Sequence, residues 1–185
     1  MLPFQYKEEV IPFLTSLNKK AKKIGAVNTI RFTKKGLKGY NTDAYGFKKS
    51  IQPLLNKNHT KALILGTGGA SKAIAYVFKE LKIKYKFVSR SPKKKQFSYD
   101  DLDQKILSNY TVIVNCTPLG THPDIEQKPA IPYQHLNENH LLFDLIYNPE
   151  KTAFLQEGET KGATICNGYS MLELQAEKSW KIWNS

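Results

Sequence analysis

Hydrophobic and polar positions change their spacing sharply after the first third of the chain, and the change predicts a strand followed by a helix. Residues 62–65 are apolar without interruption, which is typical of a parallel strand covered on both faces. Beyond them Ile74, Val77, Phe78 and Leu81 recur at helical spacing and form one apolar stripe. Together the two elements are the first half of a βαβ unit.

A glycine-rich turn separates this strand from its helix. Gly66, Gly68 and Gly69 let the backbone turn tightly and approach a diphosphate, whose charge the free N–H groups of the new helix can bind. Ala73 stands where a small residue allows the helix to pack closely on the strand. The turn predicts a dinucleotide site, and a purely structural glycine turn is the alternative.

Strand and helix patterns continue to alternate beyond this unit. Further strands are predicted at residues 83–87, 112–114, 141–146 and 163–165, and helices at 102–107, 152–158 and from 170 onwards. The predicted fold class is α/β, with a Rossmann-like doubly wound parallel sheet over residues 60–168. Residues 169–185 are predicted to form a C-terminal helix that packs back towards the substrate domain.

The first segment, residues 1–59, is predicted to be a partial α/β unit. Apolar residues at helical spacing predict a short surface helix over residues 10–17. Residues 24–32 and 37–40 are predicted strands around a turn at 34–36. A second helix is capped by Thr42 or Asp43.

The end of the second strand of the doubly wound sheet predicts the kind of cofactor. In such a fold this position meets the adenosine ribose, and an acidic residue there would hold the 2′-hydroxyl of NAD. The chain instead has Ser89, Arg90 and Ser91, followed by three lysines. Charge and hydroxyl donors suit a 2′-phosphate, so NADP is preferred, with a simple basic turn as the alternative.

Composition narrows the classes of partner. The net charge is +12, but all except two of the 28 basic residues are lysines, whereas base and phosphate recognition favours arginine. Solvated lysine faces are therefore preferred over a nucleic-acid site, and the charge can steer an anionic cofactor or a carboxylate substrate.

Compartment and metal chemistry also follow from the sequence. No apolar run reaches the ~20 residues of a membrane span, and no signal peptide is recognisable, so the chain is predicted to be cytoplasmic. Cys116 and Cys166 lack metal-binding spacing, which predicts reduced thiols and no metal.

Five segments taken together resemble the shikimate dehydrogenase family across nearly the whole chain. They are IGAVNT at 24–29, GYNTD at 39–43, GTGGA at 66–70, NCTPLG at 115–120 and GYSML at 168–172. The resemblance implies NADP-dependent, reversible reduction of 3-dehydroshikimate to shikimate in aromatic amino-acid biosynthesis. It therefore implies a small-molecule substrate.

The resemblance also implies a role for individual residues. The catalytic pair is Lys7 and Asp43, and the substrate contacts are Asn28, Tyr147 and Gln175. The cofactor contacts are Gly66, Thr67, Gly68, Gly69, Ala70, Ser89, Arg90, Ser91, Thr117, Leu145 and Gly168. Structural alternatives exist for four of them: Lys7 as a surface lysine before a helix, Asp43 as a helix cap, Asn28 as a turn amide and Gln175 as a solvent-facing helix residue.

The position of the catalytic lysine is ambiguous. Counting back from residues 10–12 places Lys7 there, whereas counting forward from residues 3–4 places Gln5 there. Lys7 is preferred because an amide side chain cannot serve as acid or base.

The family pattern continues upstream of Met1, with a serine-containing loop that grips the substrate carboxylate. The chain is accordingly expected to be an N-terminally truncated member, whose first segment has too little core to hold its shape alone. The alternative function is an NADP-binding module without turnover. If the chain has a protein partner, we expect a second copy of the chain, in a homodimer.

Overall fold

The computed structural model describes Leu2 and residues 6–185, and Gln5 lies outside the described residues. The strands are β1 (Ser16–Leu17), β2 (Thr29–Thr33), β3 (Gly36–Tyr40), β4 (Lys61–Leu65), β5 (Lys84–Val88), β6 (Val112–Asn115), β7 (Leu141–Asp144) and β8 (Thr164–Cys166). The α-helices are α1 (Lys19–Ile24), α2 (Asp43–Ile51), α3 (Gly69–Glu80), α4 (Gln104–Asn109), α5 (Ala153–Thr160) and α6 (Tyr169–Trp183).

The larger sheet is the doubly wound parallel sheet that the sequence predicts. Its strand order is β5-β4-β6-β7-β8, and every neighbouring pair is parallel. The chain leaves β4 first towards one side of the sheet, to β5, and then continues on the other side of β4, with β6, β7 and β8. The strand order therefore reverses at β4. Ligands bind at such a switch point, beyond the carboxyl ends of the strands, and those ends carry the glycine turn and the other predicted cofactor residues.

Two apolar cores cover the two faces of this sheet. One contains the buried side of α3 together with α2 and part of α6, and the other lies under α4 and α5. Phe47 of α2 packs edge-to-face on Phe78 and Phe143, with ring centroids 5.5 Å and 5.1 Å apart. The N-terminal segment therefore shares a core with the dinucleotide-type sheet, while the predicted boundaries at 59/60 and 168/169 remain predictions.

The smaller sheet has the order β1-β3-β2. The hairpin β2-β3 is antiparallel around Lys34 and Lys35, as predicted, with Thr33 opposite Gly36. β3 also pairs with β1 in parallel. This sheet holds Asn28 immediately before β2 and Asp43 shortly after β3.

The sequence prediction was wrong about the elements between residues 10 and 28. The predicted helix over 10–17 is a single 3₁₀ turn at Ile11–Phe13, after which Leu14 is extended. The apolar residues of this segment do not form a helix face. Leu14 and Leu17 instead pack against Gly39 of β3. An ideal Cβ on Gly39 would lie only 2.6 Å from Leu14 Cδ1.

Residues 19–24, where the sequence predicts only the start of a strand at Ile24, form α1 instead. The side chain of Asn18 accepts a hydrogen bond from Lys20 N at the helix start, and Gly25 ends the helix with a positive φ of 74°. Ala21 and Ile24 are buried beneath the exposed lysines.

Helices α2 and α6 cross in close contact. An ideal Cβ on Gly46 of α2 would lie 2.6 Å from the carbonyl oxygen of Met171 in α6, so only glycine fits at this approach. The crossing brings the first turn of α2, with Asp43, beside the middle of α6, with Gln175.

Candidate active site

The first of two neighbouring cavities lies between the small sheet and the carboxyl edge of the large one, with a volume of about 890 Å³. Its walls contain both predicted catalytic residues, all three predicted substrate contacts and part of the predicted cofactor set. Its lining includes Lys7, Asn28, Asp43, Ala70, Thr117, Leu145, Tyr147, Gly168 and Gln175.

Lys7 and Asp43 form a buried ion pair in this cavity. Lys7 Nζ donates to Asp43 Oδ2 at 2.7 Å, and the two side chains are 11% and 1% exposed. The carbonyl of Lys7 accepts from Val27 N at 2.7 Å, and an ideal Cβ on Gly69 would lie 3.1 Å from Lys7 Cβ. The amine is therefore fixed between the small sheet and the start of α3.

Asp43 lies in the first turn of α2, but its carboxylate does not cap that helix. Asn41 Oδ1 accepts from Ala44 N at 3.1 Å, which supplies the local cap. Asp43 Oδ1 instead accepts from Asn28 Nδ2 at 2.8 Å. The carboxylate is thus aimed into the cavity, with one oxygen on an amine and the other on an amide.

Asn28 is buried and links three parts of the chain. Its Oδ1 accepts from Thr42 N at 2.9 Å, and its Nδ2 lies 3.1 Å from Gln175 Oε1. Gln175 is part-buried in α6 and lines the cavity, so it is not a solvent-facing helix residue. Tyr147 follows β7, lines the same cavity and is 48% exposed.

The glycine turn lies where β4 ends and α3 begins. Gly66 has a positive φ of 98°. The N-cap residue of α3 is Gly68, which has no side chain to cap the helix. No acidic residue lies in the first turn. The first N–H groups of the helix can therefore bind an anion, as a dinucleotide diphosphate requires.

The second cavity, about 650 Å³ in volume, lies on the other side of this turn. Its lining includes Gly66, Thr67, Gly68, Ser89, Arg90 and Thr117. Thr117 and its neighbours Cys116 and Pro118 also line the first cavity, so the two cavities meet at residues 116–118. Gly69 and Ser91 are the only predicted cofactor contacts that line neither cavity.

Leu145 and Gly168 lie together at the far wall of the first cavity. An ideal Cβ on Gly168 would overlap the carbonyl oxygen of Leu145, so a side chain does not fit there. Gly168 N donates to Ile146 O at 2.9 Å and fixes this wall.

Sequence reasoning missed a buried polar network beneath the two cavities. Asp144, the last residue of β7, accepts from Asn115 Nδ2 at 3.1 Å, from Ile146 N at 3.0 Å and from Thr152 Oγ1 at 2.6 Å. Burial raises the pKa of the Asp144 carboxyl to about 6, although these hydrogen bonds oppose the rise. A signal was present, because polar residues ending neighbouring parallel strands meet at one edge of the sheet.

Cys116 follows Asn115 and lines both cavities. Burial and the nearby Asp144 raise the pKa of its thiol well above the ordinary value, so the thiol stays protonated and unreactive. No cluster of three or more potential metal-ligating side chains occurs within residue 2 and residues 6–185.

A lysine–carboxylate pair, amides beside it and an anion-binding glycine turn surround one crevice of a doubly wound sheet. This arrangement is that of a dinucleotide-dependent oxidoreductase.

Comparison with known proteins identifies the family. The NADP(+) shikimate dehydrogenase of Clostridium botulinum is 37% identical over 187 residues, covering 96% of this chain and 72% of the relative. The chain matches no protein-family model. The chain belongs to the shikimate dehydrogenase family.

Solved structures agree with this result. A chorismate mutase/shikimate 5-dehydrogenase fusion protein from Clostridium acetobutylicum superposes with a TM-score of 0.84 at 36% identity, covering 98% of this chain and 69% of the other. Shikimate 5-dehydrogenase from Thermus thermophilus, solved with NADP(H) and shikimate, gives a TM-score of 0.85 at 28% identity, covering 98% and 71%.

Among the helices of the described residues, none is both long and apolar enough to span a membrane.

Proposed function

We propose that this chain is an NADP-dependent shikimate dehydrogenase that interconverts 3-dehydroshikimate and shikimate. The observation that carries the proposal is the buried Lys7–Asp43 pair, whose Nζ–Oδ2 distance is 2.7 Å, at a cavity shared with the predicted cofactor residues Ala70, Leu145 and Gly168. A reversible alcohol oxidation needs a proton-exchanging group close to the hydride acceptor, and the shared cavity allows that proximity.

Substrate binding is assigned to the amide and hydroxyl groups around the pair. Asn28 Nδ2 donates to Gln175 Oε1 at 3.1 Å. We assign both amides to hydrogen bonds with ring hydroxyls of the substrate, which for Asn28 would replace its contact with Gln175. Tyr147 supplies a hydroxyl from the opposite wall. These polar groups orient a polyhydroxylated ring, and the lysine-rich surface attracts its carboxylate.

The residues present fit NADP. The uncapped start of α3 and the left-handed Gly66 leave backbone N–H groups for the diphosphate, held by Gly66 to Ala70. Ser89, Arg90 and Ser91 are assigned to the 2′-phosphate, and no acidic residue among them competes with it. Thr117, Leu145 and Gly168 are assigned to the nicotinamide half.

The mechanism follows from the geometry of the pair. When bound, NADP supplies the hydride acceptor or donor. Lys7 Nζ exchanges the hydroxyl proton with the substrate oxygen as the C–H bond breaks or forms. Asp43 orients that amine and balances its charge when it is protonated. Asn28 keeps the carboxylate of Asp43 turned towards Lys7.

Partners and location are part of the same proposal. We assign small molecules as the ligands, exclude nucleic acid and membrane as partners, and place the enzyme in the cytoplasm. The homodimer remains a prediction, which sedimentation of the purified chain would test.

The test is shikimate-dependent reduction of NADP+, followed by absorbance of NADPH, alongside titration of NADPH binding. Turnover that is lost in Lys7→Met while NADPH still binds supports the proposal. Binding without turnover in the wild-type chain would instead support an NADP-binding module, and absence of both would reject NADP as the cofactor.

A further inference from the structure

Lys7 lies in a turn and not in a helix or strand, so secondary structure gives its backbone little support. Residues 7–10 form this turn, and Lys7 O accepts from Val27 N at 2.7 Å. That hydrogen bond holds the turn on the side of the small sheet, where Asp43 also lies. The amine of Lys7 must in addition keep its place relative to the cofactor, whose diphosphate is assigned to the first turn of α3.

The Lys7 turn (residues 7–10) reaches α3 through Glu8. Glu8 Oε2 accepts a hydrogen bond from Lys72 Nζ in an ion pair, although 64 positions separate the two residues. An ideal Cβ on Gly69 would lie 3.1 Å from Lys7 Cβ and 3.7 Å from both Cγ and Oε1 of Glu8. Glu8 therefore lies along the first turn of α3 and brings Lys7 against the same turn.

The ion pair is the directional contact between this turn and α3. Lys7 Cβ lies over Gly69 without a hydrogen bond, and single van der Waals contacts of this kind are weak and resist sliding very little. A charge-assisted hydrogen bond, in contrast, has a preferred length and angle. The pair with Lys72 therefore fixes where along α3 the Lys7 turn lies.

We propose that Glu8 and Lys72 are a positioning pair, which holds Lys7 at the cofactor end of α3 and thereby keeps its amine where proton exchange during hydride transfer requires it. The inference rests on the proposed function for the role of Lys7. Displacement of a reacting group by about 1 Å can cost about 10²-fold in rate, so even a weak contact matters at this place. The docking of the Lys7 turn on α3 can be observed without substrate or cofactor.

A second ion pair provides a matched comparison at the other end of α3. Lys48 of α2 pairs with Glu80 at 3.1 Å, about 12 Å along the helix from Lys72. Its side chains are 37% and 28% exposed, against 39% for Lys72 and 42% for Glu8. Exposed pairs of this kind contribute little to the free energy of unfolding, so the two pairs should differ in their effect on kcat and not on stability.

The first experiment measures kcat and the KM for shikimate at saturating NADP+. Glu8→Gln and Lys72→Met should lower kcat about tenfold and leave the KM within about twofold, because the amides assigned to the substrate ring are untouched. Glu9→Gln, at an exposed glutamate of the same turn, and Lys48→Met are the controls and should keep kcat within about twofold. A kcat in Glu8→Gln equal to that in Glu9→Gln overturns the proposal.

Exchange of the two charges tests the contact itself. Glu8→Lys alone brings two ammonium groups together and should lower kcat further than Glu8→Gln. Combined with Lys72→Glu, it restores an ion pair of the same total side-chain length, and kcat should return to within about threefold of the wild type. Because NADP+ is saturating, a change in cofactor affinity does not enter this comparison. A double variant no more active than Glu8→Lys overturns the proposal.

The second experiment follows hydrogen exchange of the Val27 amide in protein without cofactor or substrate. This N–H is bonded to Lys7 O, so it exchanges when the Lys7 turn lifts from the small sheet. We expect exchange about two- to fivefold faster in Glu8→Gln than in Glu9→Gln, and a rate close to the wild type in the charge-exchanged double variant. Equal rates in Glu8→Gln and Glu9→Gln overturn the proposal.

The two experiments separate this inference from the proposed function. A wild-type chain without shikimate-dependent reduction of NADP+ would reject the proposed function, and the exchange rates of Val27 would then decide the docking of the turn by themselves. Wild-type turnover that persists in full in Glu8→Gln would reject the positioning pair and leave the proposed function standing. Faster Val27 exchange with an unchanged kcat would also overturn the proposal, since the docking would then not affect the amine.

Discussion

Asn28 donates from Nδ2 to Gln175 Oε1 at 3.1 Å, although 147 positions separate the two residues in the chain. The same amide donates to Asp43 Oδ1 at 2.8 Å. A helix at the end of the chain is thus connected to the proposed catalytic carboxylate near its beginning. This connection explains why α6 must cross α2 closely, at Gly46, for the substrate half to be formed.

The first prediction concerns this amide pair. Gln175→Ala should raise the KM for shikimate about tenfold, the loss of about one hydrogen bond to a polar ligand, with a smaller change in kcat. Asn28→Ala should lower kcat as well, because it also leaves Asp43 without its amide donor. Steady-state kinetics with saturating NADP+ provide the measurement, and Glu177→Ala, exposed on the same helix, is the control. Equal kinetics in Gln175→Ala and the control would contradict the assignment.

The second prediction concerns the ion pair of Lys7 and Asp43. Lys7→Met should lower kcat about 10²- to 10⁴-fold, the usual contribution of a proton-transfer group, while the Kd of NADPH stays within about twofold. Lys151→Met removes an exposed lysine that pairs with Glu159 and should change neither quantity. If Lys7→Met lost activity and NADPH binding in parallel, its effect would be on folding and not on proton transfer.

The third prediction concerns the 2′-phosphate of the cofactor. Arg90→Glu should weaken NADPH at least about thirtyfold, because one charge-assisted contact is lost and a repulsive one is added. NADH, which lacks the phosphate, should change less than about threefold. Lys93→Glu, also exposed on the following turn, controls for net charge. Equal weakening of NADPH and NADH in Arg90→Glu would refute the phosphate assignment.

The fourth prediction concerns the close crossing of α2 and α6. Gly46→Ala places a methyl group against the Met171 carbonyl and should force the helices apart. The free energy of unfolding should fall by about 1–3 kcal/mol, and the KM for shikimate should rise because Gln175 moves away from Asn28. Urea unfolding and kinetics at a temperature where the variant is folded measure the two effects. A normal KM in a destabilised variant would show that the crossing does not position Gln175.

Local patterns predicted the doubly wound sheet well, for a physical reason. Buried parallel strands such as β4 and β6 are continuously apolar, and α3 has one apolar stripe, so their identity is present in neighbouring residues. The prediction missed α1 because four of its six residues are lysines, which leaves only Ala21 and Ile24 as an apolar face. Its Asn18 cap and Gly25 end were the available signals.

The candidate site was predicted mainly through the family resemblance. The meeting of Asn28 with Gln175, and of Lys7 with Asp43, depends on tertiary contacts that no residue spacing encodes. The Asp144–Asn115 contact was more accessible, since both residues end neighbouring parallel strands, Asn115 opposite Asp144 in register. The family resemblance implies roles only for residues that touch ligands, whereas Asp144 and Asn115 lie beneath such residues.

The last prediction concerns stability against pH at Asp144. Its pKa is about 6 in the folded protein against an ordinary value of 3.8, so between these values the folded state binds more protons than the unfolded state. The protonated carboxyl therefore makes its full contribution to the stability of the fold below pH 3.8, and this contribution is lost as the pH rises through about 6. The asparagine side chain in the variant Asp144→Asn cannot ionise. The difference in unfolding free energy between this variant and the wild type should therefore change by about 2 kcal/mol between about pH 7 and about pH 4, and the wild type should gain stability as the pH falls.

Urea unfolding of both proteins at each pH measures this difference, and m-values that agree between them ensure that the same transition is compared. Falling pH should therefore stabilise the fold through Asp144. A constant difference between the two proteins, or one of opposite sign, would mean that the buried carboxyl does not titrate in this range.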